Sequence, residues 1–245
     1  MHKSGTVAGF LLAIIVAAVL PIFWLNPYVR LLSWGIVAVG ALVLASGITN
    51  DTVGFSRSFL CDSRNRFQQS NLISFAWLIV ISSAYLSCAL WNISLWKPES
   101  GTTLPISIEV PASVWVLAGI VSTGLVGSSL ILSHKLSLQG RLSSTDGRPV
   151  ANSRVLIRDN PKQATITDLV ALDEEETVPP IDLGALQVML FQLAAVIVYI
   201  AALGRVLFMT PPNIAITQFP VIPEGFLALL GISTATALAN RAIPR

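Results

Sequence analysis

The chain has 245 residues, of which 53% are hydrophobic and only 11% are charged. A soluble domain carries roughly 25% charged residues, so this composition excludes an ordinary soluble protein and favours one that lies in lipid. The net charge of +2 gives no indication of a surface that binds nucleic acid, and we expect no such partner.

Six apolar segments follow one another along the chain, and each is long enough to cross a hydrocarbon core of about 30 Å. They predict an all-α membrane protein with six transmembrane helices. The segments are residues 5–25, 31–49, 71–96, 112–133, 186–209 and 224–240. The first could be a secretory signal, but it has no clear cleavage site before Pro21 and ends in Phe23 and Trp24. We therefore expect an uncleaved helix.

The longest polar region, residues 135–185, lies between the fourth and fifth segments. Its Asp146-Gly147 pair is flanked by short runs of β-prone residues, which predicts a small β-hairpin over residues 138–157. An acidic stretch around Asp173 follows as a linker. Asp182 then precedes the fifth segment, where its carboxylate is expected to cap the helix.

Two halves of the chain share one pattern. Pro111 and Gly119 in the first half recur at the same spacing as Pro223 and Gly231 in the second, and each proline opens an apolar segment. This predicts a tandem repeat of parallel helix hairpins related by an axis along the membrane normal. The expected organisation is an N-terminal two-helix hairpin (1–49), a cytoplasmic basic loop (50–70), a first repeat hairpin (71–136), a cytoplasmic β-hairpin with an acidic linker (137–185) and a second repeat hairpin (186–245).

The distribution of Lys and Arg predicts the orientation. If the N-terminus is cytoplasmic, the second and fourth loops and the C-terminus lie on the same side and hold most of the basic residues. The opposite side keeps only Arg30 and Lys97, with Arg205 near the outer end of the fifth segment. The positive-inside rule then predicts a membrane protein with both termini in the cytoplasm.

Small residues in the fourth and sixth segments are typical of faces where membrane helices pack closely. The candidate helix-packing residues are Gly119, Thr123, Gly127, Gly231, Ser233 and Thr234. We interpret them as contacts within one chain or between copies. The alternative is a pore lined by hydroxyl groups.

Four basic residues are candidates for contact with a lipid headgroup or a small anion: Arg64, Arg66, Lys135 and Arg205. For the two loop arginines, the alternative is a loop held together by pairs with Asp62. Lys135 could instead interact with the negative end of the fourth helix, and Arg205 could extend its side chain to the interface.

No pattern in the sequence predicts a catalytic residue, a cofactor or a metal site. Cys61, Cys88, His2 and His134 do not have the spacing of zinc ligands. Without a candidate reactive group, we do not expect an enzyme.

The middles of the predicted spans contain no Asp, Glu or Lys, which disfavours a proton-coupled transporter.

The run 59–66, Phe-Leu-Cys-Asp-Ser-Arg-Asn-Arg, resembles a loop in a group of bacterial six-helix integral membrane proteins with no assigned activity. Residues 182–187 and the Gly-Ile-Ser at 231–233 resemble the C-terminal hairpin of that group. The resemblance extends from about Asn50 to the C-terminus and implies the six-helix architecture and a location in the bacterial inner membrane. It departs at 68–71, where Gln-Gln-Ser-Asn replaces Ser-Leu-Ser-Arg, and at 119–121, where the first Gly-Ile-Ser reads Gly-Ile-Val.

Taken together, these patterns predict a non-enzymatic integral membrane protein that self-assembles and acts as a scaffold or anchor. Its expected partners are membrane lipids, further copies of itself and an unidentified cytoplasmic protein. Two alternatives stay open, namely a homo-oligomeric channel for ions or small solutes and a small-molecule transporter.

Overall fold

The computed structural model describes residues 26–48, 60–62, 64–96, 107–146, 163–171 and 181–242. These residues form five α-helices and one short 3₁₀ helix, Ile166–Leu169, and no strand longer than an isolated bridge. The α-helices are α1 (Pro27–Ile48), α2 (Gln69–Leu95), α3 (Ala112–Asp146), α4 (Leu183–Met209) and α5 (Glu224–Ala242). The prediction of an all-helical protein is confirmed for this part of the chain.

In the described part of the chain, three helical stretches are long and apolar enough to cross a membrane: Gln69–Leu95, Ala112–Lys135 and Leu183–Met209. They are consistent with a membrane protein, but the structure does not support six spans. The first predicted span lies outside the described residues, and the apolar part of α1 is the shorter stretch Pro27–Val43. Helix α5 has only 19 residues, with Glu224 in its first turn and Arg241 in its last. The apolar run between these charges is shorter than the ~20 residues that a span needs.

The predicted β-hairpin is wrong in its first half. Helix α3 continues from the apolar segment through Asp146, so residues 138–143 are helical and not a strand. Extending an existing helix adds one hydrogen bond for each residue that is fixed, and this continuation outweighs weak local β-preference. The predicted turn signal at Asp146 stands at the helix end. The expected second strand, residues 154–157, lies outside the described residues.

Both repeat helices begin directly after the prolines that the sequence singled out. The amide of Val114 donates to the Pro111 carbonyl, and the amide of Phe226 donates to the Pro223 carbonyl. Proline is well tolerated at this place because the first N–H groups of a helix have no acceptor within the helix. These starts fit the repeat pattern, while the relation of the two hairpins by an axis stays a prediction.

The described residues form two compact units. Unit 1 comprises residues 26–48, 76–96, 107–115 and 195–222, and unit 2 comprises residues 60–62, 64–75, 116–146, 163–171, 181–194 and 223–242. In unit 1, aromatic side chains join α1, α2 and α4. The rings of Tyr28 and Phe208 lie 5.2 Å apart and those of Trp77 and Tyr199 lie 5.5 Å apart, distances typical of favourable aromatic pairs.

Candidate functional site

The loop before α2 in unit 2 is folded around one carboxylate. Asp62 Oδ1 accepts the backbone N–H groups of Arg64 at 2.9 Å and Arg66 at 3.3 Å. Asp62 Oδ2 lies 2.6 Å from a terminal nitrogen of the Arg64 side chain, and Nε of the same side chain donates to it at 2.7 Å. Asn65 takes a φ of 60°, a conformation that Asn adopts more readily than most residues. The local Asp–Arg pairing considered from the sequence is therefore present.

A second arginine of this loop pairs with a distant acid. Nε of Arg66 lies 3.5 Å from Oδ1 of Asp168, and both side chains are buried. Asp168 belongs to the short 3₁₀ helix, and its Oδ2 accepts the backbone N–H of Thr165 at 2.8 Å. Arg64 and Arg66, two of the predicted anion-contact residues, are thus both engaged by carboxylates of the chain itself.

The start of α2 is joined to α3 by side-chain hydrogen bonds. Gln68 Nε2 donates to Ser128 Oγ at 2.6 Å, and the hydroxyls of Ser70 and Ser128 lie 3.1 Å apart. Ser128 also donates to the carbonyls of its own helix at Gly124 and Leu125. Ser128 is therefore a buried junction between the two helices.

A cavity of about 50 Å³ lies beside this junction within unit 2. Residues of α2, α3, α4 and α5 line it. Its polar lining residues are Gln69, Ser70, Ser128, Gln192, Thr234 and Arg241, and its apolar lining residues include Ile73, Ile120, Val121, Val188, Ala237 and Leu238. The cavity therefore combines a few polar groups with apolar walls, which is the usual character of a small-ligand site.

Two buried polar atoms at this cavity lack a hydrogen-bond partner in the described structure: Gln69 Nε2 and Thr234 Oγ1. Gln69 is 5% exposed and Thr234 is 9% exposed. Arg241 in the last turn of α5 is half-buried and forms no ion pair within the described residues. Because buried polar groups are nearly always paired, this convergence of unpaired donors marks the cavity as the candidate site.

The predicted helix-packing residues are distributed unevenly between close contact and open surface. A Cβ atom at Gly127 would lie 3.0 Å from Leu238 Cδ1, and one at Gly231 would lie 3.7 Å from Ile120 Cδ1. Packing of α3 against α5 is therefore tight at Gly127, whereas Gly231 makes an ordinary van der Waals contact with a side chain of α3. Gly119 has no described atom within 4 Å of its Cβ position, so the close approach expected there is not found.

The remaining hydroxyl groups of this set are used in different ways. Thr123 is exposed, and its hydroxyl donates to the Gly119 carbonyl of its own helix at 2.8 Å. Ser233 and Thr234 are buried on α5. A hydroxyl that bonds to its own helix is satisfied without a neighbour, so Thr123 does not provide an interhelical hydrogen bond in this structure.

The contrast between the two α3 glycines gives a direct prediction. Gly127→Val should lower the free energy of unfolding by about 1–3 kcal/mol, because the added carbons meet Leu238 in a packed contact. Gly119→Val is the matched control and should change stability much less. Denaturation of both variants in one detergent compares them, and equal losses would contradict the packing difference.

Unit 1 contains a buried cation. Arg30 is 2% exposed, and its guanidinium lies 4.0 Å from the centroid of the Trp91 ring. A terminal nitrogen of Arg30 donates to the Thr210 carbonyl at 2.6 Å, while Nε and the other terminal nitrogen have no hydrogen-bond partner in the described structure. A cation over an indole face is stabilised by the ring quadrupole, so Trp91 holds this charge in place.

The proline-rich connection after α4 is fixed by the same part of α2. Trp91 Nε1 donates to the Ile214 carbonyl at 3.3 Å, and Asn92 makes two hydrogen bonds to the backbone of Ile216. Asn92 is 4% exposed, so its amide lies within the packed part of unit 1. These contacts join residues far apart in the chain, and no local sequence pattern indicates them.

The other two predicted basic contacts lie outside the cavity. Lys135 is half-buried on α3, and Arg205 is exposed on α4. Of the residues at the cavity, the sequence predicts a packing role for Thr234, and no sequence motif singles out Arg241 or Gln69. One sequence feature could have indicated Gln69, namely the polar run Gln68-Gln69 directly before an apolar segment.

The chain matches no protein-family model, no curated protein and no solved structure.

Proposed function

We propose that the protein is a non-enzymatic integral membrane protein that self-assembles in the bacterial inner membrane and acts as a scaffold or anchor. The observation that carries this proposal is the exposure of α3. Only 17% of its apolar window is buried, against 50% for α2 and 33% for α4. A spanning helix that contributes so little to its own fold has most of its surface available for lipid or for another helix.

The exposed surface of α3 has the composition of a helix-association face. Gly119, Ser122 and Thr123 are all exposed, and the Thr123 hydroxyl is already bonded to its own helix. Such a surface presents small side chains, so a second backbone can approach closely. The exposed Gly35 on α1, which also has no described atom near its Cβ position, offers a second place of this kind.

The structural use of the acidic residues supports the non-enzymatic part of the proposal. Asp62 and Asp168 pair with arginines, and Asp182 accepts the N–H groups of Gly184 and Ala185 at the start of α4. This last contact is the cap predicted from the sequence. A general acid or base needs a carboxylate that can exchange protons with a substrate, whereas these carboxylates are occupied by local contacts.

The membrane arrangement is part of the same proposal. We infer six spans with both termini in the cytoplasm, on the basis of the uneven distribution of Lys and Arg. This arrangement requires α5 to cross the membrane with an apolar run shorter than the usual ~20 residues, its charged ends Glu224 and Arg241 lying at the two interfaces. A relation to the bacterial six-helix group, and a cytoplasmic protein as a further partner, belong to this proposal as well. Cysteine-accessibility labelling in inverted and right-side-out vesicles would test the orientation.

The stoichiometry of the full chain in lipid nanodiscs tests the assembly. We expect native mass spectrometry to find an oligomer, and Gly119→Leu to reduce its fraction, because overpacking a close helix contact costs about 1–3 kcal/mol. Ala194→Leu on α4 is the matched control. It adds a comparable volume at another exposed small residue and should leave the stoichiometry unchanged.

Two outcomes would contradict the assembly proposal. One is a wild-type protein that is monomeric both in mild detergent and in nanodiscs. The other is an oligomer whose fraction falls equally in Gly119→Leu and in the α4 control, since this would place the contact elsewhere or show a general loss of folding.

The cavity in unit 2 favours a second candidate function, the passage or uptake of a small solute. Its polar lining includes Gln69, Gln192 and Thr234, which are buried side chains able to contact a solute. The two alternatives from the sequence, a homo-oligomeric channel and a transporter, both need such a site. Ion and solute flux into proteoliposomes separates them from a scaffold, because a scaffold produces no flux above that of empty liposomes.

A further inference from the structure

The cavity in unit 2 carries an inference that does not depend on self-assembly. We propose that it binds the oxyanion of a phosphate group, held by Arg241, Gln69 and Thr234. Arg241 supplies the charge, while the Gln69 amide and the Thr234 hydroxyl supply hydrogen bonds. None of the four basic residues singled out from the sequence lines this cavity.

The lining has the polarity that an anion requires. Among the described residues, no Asp or Glu lines the cavity, and the one charged lining residue is Arg241. Gln69 Nε2 can only donate a hydrogen bond, and it has no acceptor in the described structure. The hydroxyl of Thr234 is likewise unpartnered and can donate. The Arg241 guanidinium, the Gln69 amide and the Thr234 hydroxyl are all hydrogen-bond donors around one small volume. A negatively charged hydrogen-bond acceptor is the ligand that suits this set.

The N-terminus of α2 adds positive electrostatic potential at the cavity. Gln69 is the first residue of α2, and the first N–H groups of a helix have no acceptor within the helix. The positive end of the helix dipole therefore lies at the residues that line the cavity, Gln69 and Ser70. Helix starts of this kind are frequent places of anion binding, and here the side-chain donors provide a second and independent indication.

The size of the cavity selects a small group. Its volume of about 50 Å³ corresponds to roughly three to five water positions at 10–15 Å³ each. That is enough for a phosphate group and too little for a nucleotide. Ile73, Ile120 and Leu238 form apolar walls on part of the cavity, so the polar groups Gln69, Thr234 and Arg241 determine where a charged group would bind.

Water alone accounts for the arrangement less well. A water molecule could pair with Gln69 or Thr234, but it would leave Arg241 without a counter-charge. Arg241 in the last turn of α5 interacts favourably with the negative helix end, yet this does not explain two further unpartnered donors at the same cavity. One bound oxyanion satisfies all three groups.

The same chemistry has two sources, the phosphate of an anionic lipid headgroup and free phosphate in solution. The full chain in neutral detergent would be titrated with inorganic phosphate against chloride at constant ionic strength. In parallel it would be placed in nanodiscs of phosphatidylcholine with or without phosphatidylglycerol. Thermal unfolding reports stabilisation, and native mass spectrometry reports bound lipid.

We expect one of the two arms to raise the unfolding temperature of the wild type, and the responding arm identifies the source. Gln69→Leu, Thr234→Val and Arg241→Gln should each weaken the apparent affinity by about ten- to a hundredfold, the range for lost hydrogen bonds to charged groups. Arg205→Gln, which removes an exposed arginine outside the cavity, is the matched control and should keep the wild-type response.

The stability of the variants without anion separates binding from a purely structural role. Gln69→Leu and Thr234→Val each remove a buried donor that has no partner, so their unfolding temperature without anion should equal or exceed that of the wild type. Thr234→Ser keeps the hydroxyl and should keep the anion response. The proposal is overturned if neither phosphate nor phosphatidylglycerol stabilises the wild type. It is also overturned if the cavity variants respond like the Arg205 control, or if Gln69→Leu and Thr234→Val are destabilised without anion.

Discussion

Replacing Asp168 by alanine is expected to lower the free energy of unfolding by about 3–5 kcal/mol, the range for breaking a buried ion pair from one side. Nε of Arg66 lies 3.5 Å from Asp168 Oδ1, and each side chain is 1% exposed. Without the carboxylate, the guanidinium stays buried without this counter-charge. The substitution also removes the acceptor for the Thr165 N–H at the start of the 3₁₀ helix. Chemical denaturation in detergent measures the loss.

Two further variants separate the charge from the local cap. Asp168→Asn keeps an oxygen for the Thr165 N–H but removes the charge, so its loss should be intermediate. The double variant Arg66→Met with Asp168→Leu removes both charges and should lose less than Asp168→Ala, because no buried charge is left unpaired. If Asp168→Ala unfolds like the wild type, the buried pair does not contribute to stability.

The two ion pairs of unit 2 show what could be predicted from the sequence. Asp62 and Arg64 are two residues apart, and a single turn is enough to bring their side chains together. The sequence therefore indicates this pairing as an alternative to contact with an anion. Asp168 is far from Arg66 in the chain and lies in a region that was expected to be a hairpin and an extended linker. Nothing local in the sequence connects the two residues.

The helix starts were predictable for a related reason. Pro111, Pro223 and Asp182 are helix-start signals that act on their immediate neighbours, and the helices begin at or next to the expected positions. The end of α3 was missed, because the Asp146-Gly147 turn signal was read together with short β-prone runs. The helix already formed by the apolar segment continued through those runs.

The cavity could not be predicted because its residues come from four helices. Gln69, Thr234 and Arg241 are unremarkable individually: a polar helix start, a small residue in an apolar helix and a cation at a helix end. Only the packing of α3 against α5 through Gly124 and Gly127 brings α5 to the start of α2 in unit 2. Of the four basic residues predicted from the sequence, Arg64 and Arg66 pair with carboxylates, Lys135 is half-buried on α3 and Arg205 is exposed on α4.

Replacing Trp91 by alanine is expected to lower the free energy of unfolding by about 3–5 kcal/mol, as for other large-to-small changes at fully buried aromatic residues. The Trp91 side chain is 0% exposed in unit 1. Its ring supports the buried Arg30 guanidinium, and its N–H donates to the Ile214 carbonyl. Arg30 in turn donates to the Thr210 carbonyl. Trp91→Ala therefore weakens the contacts of the proline-rich connection at two places, Thr210 and Ile214.

Trp91→Phe separates these contributions, since it keeps a ring face for Arg30 and removes only the N–H donor and part of the volume. Its loss should be closer to about 1 kcal/mol, the usual net value of one hydrogen bond. Trp115→Ala, at a tryptophan that is 66% exposed, is the matched control and should have little effect. Hydrogen exchange adds a local readout, because the Ile216 N–H donates to Asn92 next to Trp91 and should exchange faster in Trp91→Ala. An unchanged exchange rate at Ile216, together with a large global loss, would mean that Trp91 stabilises the helix packing but does not hold the connection.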